Sequence, residues 1–181
     1  MTDWYGVAIT TTARTLVDLG RHDRWDAIMA VDAALRESRV EPGDLEDALA
    51  RARGWPGVRR ARDVLALGDA RSESPLESIT RLRLHDDGFP IPVLQQPFVD
   101  AARGRTYYVD LWLPEHGLAI EADGAGKYRR RPGSDEDPLV LEKRRETRLR
   151  ALGVGQVERV MWADVTTGWA ETSDRLRANL R

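Results

Sequence analysis

The sequence predicts an α/β (α+β) protein: a helical N-terminal region over residues 1–70, then a mixed-sheet core flanked by helices over 71–181. Three observations carry this expectation. Through the first seventy residues apolar side chains recur three and four positions apart, in runs opened by a capping residue or a proline. From residue 93 the period drops to two, and three strand-like runs follow one another with turn residues between them. A helical run, one more strand and a helical tail complete the chain, an order that gives a mixed sheet with helices packed on it.

In chain order, Thr10-Thr11-Thr12 caps a helix to about Leu19, with Leu16 and Leu19 on one side. Asp23 or its neighbours begin a second, in which Trp25, Ile28, Met29, Ala33 and Leu35 form a broad apolar stripe. Pro42-Gly43-Asp44 opens a third and Pro56-Gly57 a fourth. In Ser74-Pro75-Leu76-Glu77 a serine precedes a glutamate by three positions with proline at the first helical position, the pattern of a capping box. The next element is a strand over Val93–Val99, where Pro97 marks an edge or a bulge. Asp137-Pro138 starts a helix that Gly153 stops after Leu152. Gly155 to Trp162 reads as a strand, and the tail after Asp164 closes as a helix.

Two runs between these carry the chemistry. Tyr107 to Leu113 and Leu118 to Asp123 are short strands joined by Pro114-Glu115-His116-Gly117, a length that makes a hairpin. If Leu113 pairs with Leu118, then Trp112 faces Ala119, Leu111 faces Ile120 and Asp110 faces Glu121. Side chains two apart share a sheet face, so Asp123 joins Asp110 and Glu121. Like charges opposite one another repel, and acids on central strands are costly unless they are paired or bind metal. The pattern therefore points to a divalent-cation site. Glu77 has two readings: a cap of its own helix, or a carboxylate directed from the helix start toward the metal or its water.

Composition narrows the classes. The chain has no cysteine, which excludes disulfides, thiolate nucleophiles and cysteine-bound zinc. No secretory signal is visible at the N-terminus and no apolar run is long enough to cross a bilayer, so a cytoplasmic protein without a membrane partner is expected. The net charge is only −2, but Lys127 to Arg150 holds nine basic against five acidic residues. Both lysines of the chain, Lys127 and Lys143, fall in that segment. It follows directly on the acidic hairpin, where a phosphate backbone would lie if the acids held a catalytic metal. Arg129, Arg130, Arg131, Arg144, Arg145 and Arg148 are the expected phosphate contacts, positioning nucleic acid without reading its sequence.

Glu77 at a helix start, Asp110 on one strand and Glu121-Ala122-Asp123-Gly124 on the next resemble the PD-(D/E)XK nuclease superfamily, in its branch near the very-short-patch-repair endonucleases. Glu142-Lys143-Arg144-Arg145-Glu146, Leu149 to Gly153 and Val157-Glu158-Arg159-Val160 are similar to that branch as well. Upstream, Gly6 to Thr10 and Ala13 to Leu19 resemble the middle region of actinobacterial AbiEi-like antitoxin proteins, without the winged helix that usually precedes it. The resemblance implies a restriction-endonuclease-like core and a Mg²⁺- or Mn²⁺-dependent DNA endonuclease. Asp110, Glu121 and Asp123 would bind the metal, and Glu77, Lys127 or Lys143 would assist. The superfamily's lysine two residues after the second acid is Asp123 here, so that role passes to Lys127 or Lys143, or the site is altered. The alternative implied is a catalytically inactive antitoxin or regulatory module, with a cognate toxin as partner.

Overall fold

In the computed structural model, which describes residues 2–124 and 138–180, the chain divides into two compact units, Met1–Leu82 and Arg83–Arg181. From the sequence the boundary is expected at 70/71, and the compact units of the structure meet within the helix that opens at Pro75.

The first unit begins with an antiparallel hairpin, β1 (Thr2–Trp4) and β2 (Val7–Ile9). The expectation that the first seventy residues are helical overlooked it. Tyr5 and Gly6 adopt φ of 49° and 80°, the paired positive values that close a two-residue turn with the twist of the flanking strands. Strands of three residues are too short to show a period. Helix α1 (Thr12–His22) starts where the Thr11 side chain accepts from the Arg14 amide, and α2 (Arg24–Arg36) where Asp23 accepts from the Trp25 and Asp26 amides. α3 (Pro42–Arg51) opens on its proline and α4 (Val58–Leu65) follows Gly57. α1 packs on α2, α3 and α4, burying Leu16, Val17, Ile28, Val31, Ala61 and Val64. Its closest approach is to α4: a Cβ on Gly20 would lie 2.9 Å from the Ala61 Cα, so only glycine permits this spacing.

α5 (Pro75–Asp86) starts at Ser74. Its Arg81 donates from Nη2 to both carboxylate oxygens of Asp32, at 2.9 and 2.7 Å, and from Nη1 to the Leu67 carbonyl. Asp32 is fully buried in α2 and also accepts from the Asp69 amide at 2.8 Å. One ion pair thus ties α2, α5 and the intervening loop.

The second unit carries a four-stranded mixed sheet in the order β3 (Val93–Asp100), β4 (Arg105–Leu113), β5 (Leu118–Ala122), β6 (Gln156–Val160). The first three form an antiparallel meander, and β6 lies parallel to β5 after the crossover helix α6 (Pro138–Ala151), as a parallel connection requires. Pro97 sits on edge strand β3, where a missing amide costs no ladder bond on the open side. β4 and β5 pair Leu111 with Ile120, Trp112 with Ala119 and Leu113 with Leu118, the register read from the hairpin. β6 ends at Val160 rather than Trp162, because Met161–Asp164 turns into a short helix, α7 (Trp162–Thr166), with the Asp164 carboxylate accepting from the Met161 amide. The tail is therefore two helices, α7 and α8 (Trp169–Ala178), parted at Gly168. The architecture is α/β, with helices flanking a mixed sheet. No helix among the described residues is long and apolar enough to cross a membrane.

Candidate functional site

β4 and β5 are the central strands, and β5 is buried along its whole length. Extending the register by one step sets Asp110 beside Glu121, and the Asp110 Oδ2 accepts from the Ala122 amide at 2.9 Å. This bond continues the β4–β5 ladder through a side chain. It fixes Asp110, which is half-buried, against the strand that bears Glu121. Glu121 and Asp123 are only 7% and 8% exposed. The Asp123 amide donates to the Val160 carbonyl at 2.9 Å, so the backbone remains anchored to β6 just beyond the end of β5.

The roof of Glu121 is α6. Leu149, fully buried, packs with Val109, Ala119 and Val154. Counting back along the same helix face reaches Arg145 and Glu142. Arg145 donates from Nη1 to Glu121 Oε1 and from Nη2 to the Tyr108 carbonyl, the latter at 2.6 Å. Glu142 accepts from Arg159 of β6 at 2.6 Å, and Arg159 stands opposite Glu121 in the parallel register. The site is a small lattice of charge in which Asp110, Glu121 and Glu142 face Arg145 and Arg159.

Electrostatics follow from this arrangement. Burial raises the Glu121 carboxyl above its ordinary value; the hydrogen bond and charge of Arg145 lower it without cancelling that effect, and the charges of Asp110 and Glu142 raise it further. A folded pKa above the unfolded one means that the folded state holds the proton more tightly. The resulting stabilisation is complete below the ordinary value of 4.5 and is lost as pH rises through the folded value. Glu121→Gln is expected to remove this component, so that its melting temperature falls less than that of the wild type over the pH range that opens upward from the ordinary value of 4.5. Parallel melting curves across that range would show that Glu121 does not titrate as described.

Gln95 of β3 is the register neighbour of Asp110 and has φ of 51°, a conformation that a residue with a Cβ adopts only at a cost. Strain of this kind in mid-strand, next to a carboxylate pair, is typical of functional sites. Nothing in the sequence around Gln95 signals it. Glu142 was legible in principle, since it stands three residues before Arg145 and seven before Leu149 on one helix face.

The other expected site residues are placed as follows. Glu77 lies in the first unit, where its carboxylate accepts from the Ser74 hydroxyl at 2.8 Å and the Glu73 amide at 2.9 Å while Ser74 accepts from the Glu77 amide. Its described bonds are those of a helix cap. Lys143, Arg144 and Arg148 line a surface depression with Val140 and Thr147, on the side of α6 turned away from Glu142, Arg145 and Leu149. Lys143 is thus not brought to the carboxylates. Arg145, expected as a phosphate contact, is instead engaged with Glu121. Lys127, Arg129, Arg130 and Arg131 lie outside the described residues. Among the described residues no three acidic or histidine side chains converge as a metal-binding group. Of the expected triple, Asp110 and Glu121 stand side by side on β4 and β5, and Asp123 is buried just beyond the end of β5.

The fold and this geometry define an α/β protein with a carboxylate pair on the central strands of its sheet. The chain is 34% identical over 149 residues to two uncharacterised proteins of Mycobacterium tuberculosis, from two strains; the match covers 82% of this chain and 53% of each relative. The chain thus spans about half the length of the curated relatives it matches. No family model matches it, and no solved structure does so significantly.

Proposed function

We propose that this chain is a PD-(D/E)XK-like, metal-dependent DNA endonuclease whose cation, Mg²⁺ or Mn²⁺, is held by Asp110 and Glu121. The observation that carries the reading is the juxtaposition of these two carboxylates on adjacent central strands, one of them buried. Their hard oxygen donors and surplus negative charge fit such an ion. Mg²⁺ ordinarily takes one or two carboxylates and keeps several waters, so a protein set of two suffices. When bound, the ion would polarise the scissile phosphate and lower the pKa of the attacking water.

The chain's own residues do the rest. Asp110 is held by the Ala122 amide, which keeps its carboxylate at the strand bearing Glu121. The Ala122 carbonyl and Asp123 are the nearest further oxygen donors in sequence. Lys143, Arg144 and Arg148 present positive charge on the outer side of α6, suited to a phosphate backbone; Lys127 and Arg129–Arg131 are the further basic residues of this stretch of sequence. The reading places the protein in the cytoplasm with DNA as its substrate. Its test is cleavage of plasmid, linear duplex and single-stranded DNA with Mg²⁺ or Mn²⁺. Wild type is expected to cut at least one of these and Asp110→Ala none. Identical traces for the two proteins under every condition would remove the enzyme.

One observation favours a second reading. Glu121 already has a cation in Arg145, and Asp123 stands where the superfamily has its lysine, as expected of a catalytically inactive scaffold acting as an antitoxin-like module. Co-purification with a nucleotidyltransferase-like toxin, together with absence of cleavage, would decide for it.

A further inference from the structure

We infer that Arg145 and a divalent cation compete for Glu121, so that Arg145 sets how tightly the site takes metal. The inference rests on the metal-site reading above and goes beyond it by assigning a role to a residue outside the expected ligand set.

The Arg145 guanidinium is fixed at two points, the Glu121 Oε1 and the Tyr108 carbonyl on β4. It therefore lies over the buried carboxylate and supplies the charge that a metal would supply. A guanidinium and a dication cannot both sit against one carboxylate without strong repulsion at that distance. The two are alternatives at Glu121.

The neighbours sharpen the exchange. Glu142 has its own guanidinium partner in Arg159, and Asp110 is tied to the Ala122 amide. When Arg145 leaves, the negative charge of Glu121 is uncovered on the strand next to Asp110, which favours a dication there. The Arg145 side chain is 29% exposed whereas that of Glu121 is 10% exposed. The guanidinium therefore reaches its partner from the solvent side and can withdraw by changing rotamer, with Leu149 still holding the helix to the sheet. Metal binding then requires the fraction of molecules in which Arg145 is withdrawn, and the apparent dissociation constant is the intrinsic one divided by that fraction.

Mn²⁺ titration of the full chain, read by water-proton relaxation and by calorimetry, tests this without recourse to activity. Arg145→Gln is expected to bind Mn²⁺ about tenfold more tightly than wild type, or better. Arg145→Lys, which keeps the charge but loses the fork, is expected between them. Adding Glu121→Gln to either should abolish the gain. If wild type binds Mn²⁺ through Glu121 but Arg145→Gln binds no more tightly, the competition is wrong and the metal site stands. If no variant binds Mn²⁺, both readings fall. Should Arg145→Gln not fold, an affinity of Arg145→Lys equal to that of wild type overturns the inference.

Discussion

Asp32→Ala is expected to destabilise the protein by about 3–5 kcal/mol, the usual consequence of removing one partner of a buried ion pair. Asp32 is fully buried, and the Arg81 side chain opposite is only 11% exposed. Truncation leaves a guanidinium in the protein interior with the Leu67 carbonyl as its remaining described acceptor, and takes the acceptor of the Asp69 amide as well. Two losses fall on one substitution, which is why the effect should exceed that of any exposed pair in the molecule. The surface pairs Arg51–Asp47 and Arg39–Glu37 are worth about 0–1 kcal/mol by comparison. Asp32→Asn keeps an oxygen for the Asp69 amide and should lie between wild type and alanine. Exchanging both partners at once, Asp32→Leu with Arg81→Met, should recover much of the loss, because no unpaired charge remains. Urea unfolding followed by circular dichroism measures all four proteins. A midpoint for Asp32→Ala close to that of wild type would mean that the pair does not hold α2 to α5.

Leu149→Ala is the second large effect, at about 2–5 kcal/mol for a buried leucine truncated to alanine. Leu149 is fully buried with Val109, Ala119 and Val154 and is the apolar anchor of α6 on the sheet. The anchor stands one turn beyond Arg145 on the same helix face. Loosening it should therefore weaken the grip of Arg145 on Glu121 as well as the packing. The expected signature is a lower urea midpoint together with tighter Mn²⁺ binding, whereas Leu149→Met, which preserves volume, should change little in either. A loss of stability with unchanged Mn²⁺ affinity would separate the anchor from the site.

The hairpin illustrates how far sequence reasoning reaches. Its register follows from a four-residue connection, and a slip by one residue would have moved Asp110 and Glu121 to opposite faces of the sheet. Leu113 meets Leu118 for that reason. The helix starts at Thr11, Asp23 and Ser74 were legible because a cap acts on amides two or three residues away, and that of α3 because proline suits the first helical position. The β1–β2 hairpin was not, since three-residue strands hold no measurable period and the turn at Tyr5-Gly6 contains only one glycine as a signal. The split of the tail into α7 and α8 was missed because apolar spacing survives a two-residue break at Thr167-Gly168.

The site divides along the same line. That Asp110 and Glu121 stand side by side was determined by the sequence alone, because they belong to neighbouring strands whose pairing is local. That the cation over Glu121 is Arg145, with Lys143 and Arg144 on the outer side of the same helix, was decided only by the tertiary structure. Arg145 lies 24 residues further along the chain, and the rotation of α6 on the sheet is set by where Leu149 finds its pocket. Composition places a cluster of arginines near two acids; helix packing selects which of them becomes the partner.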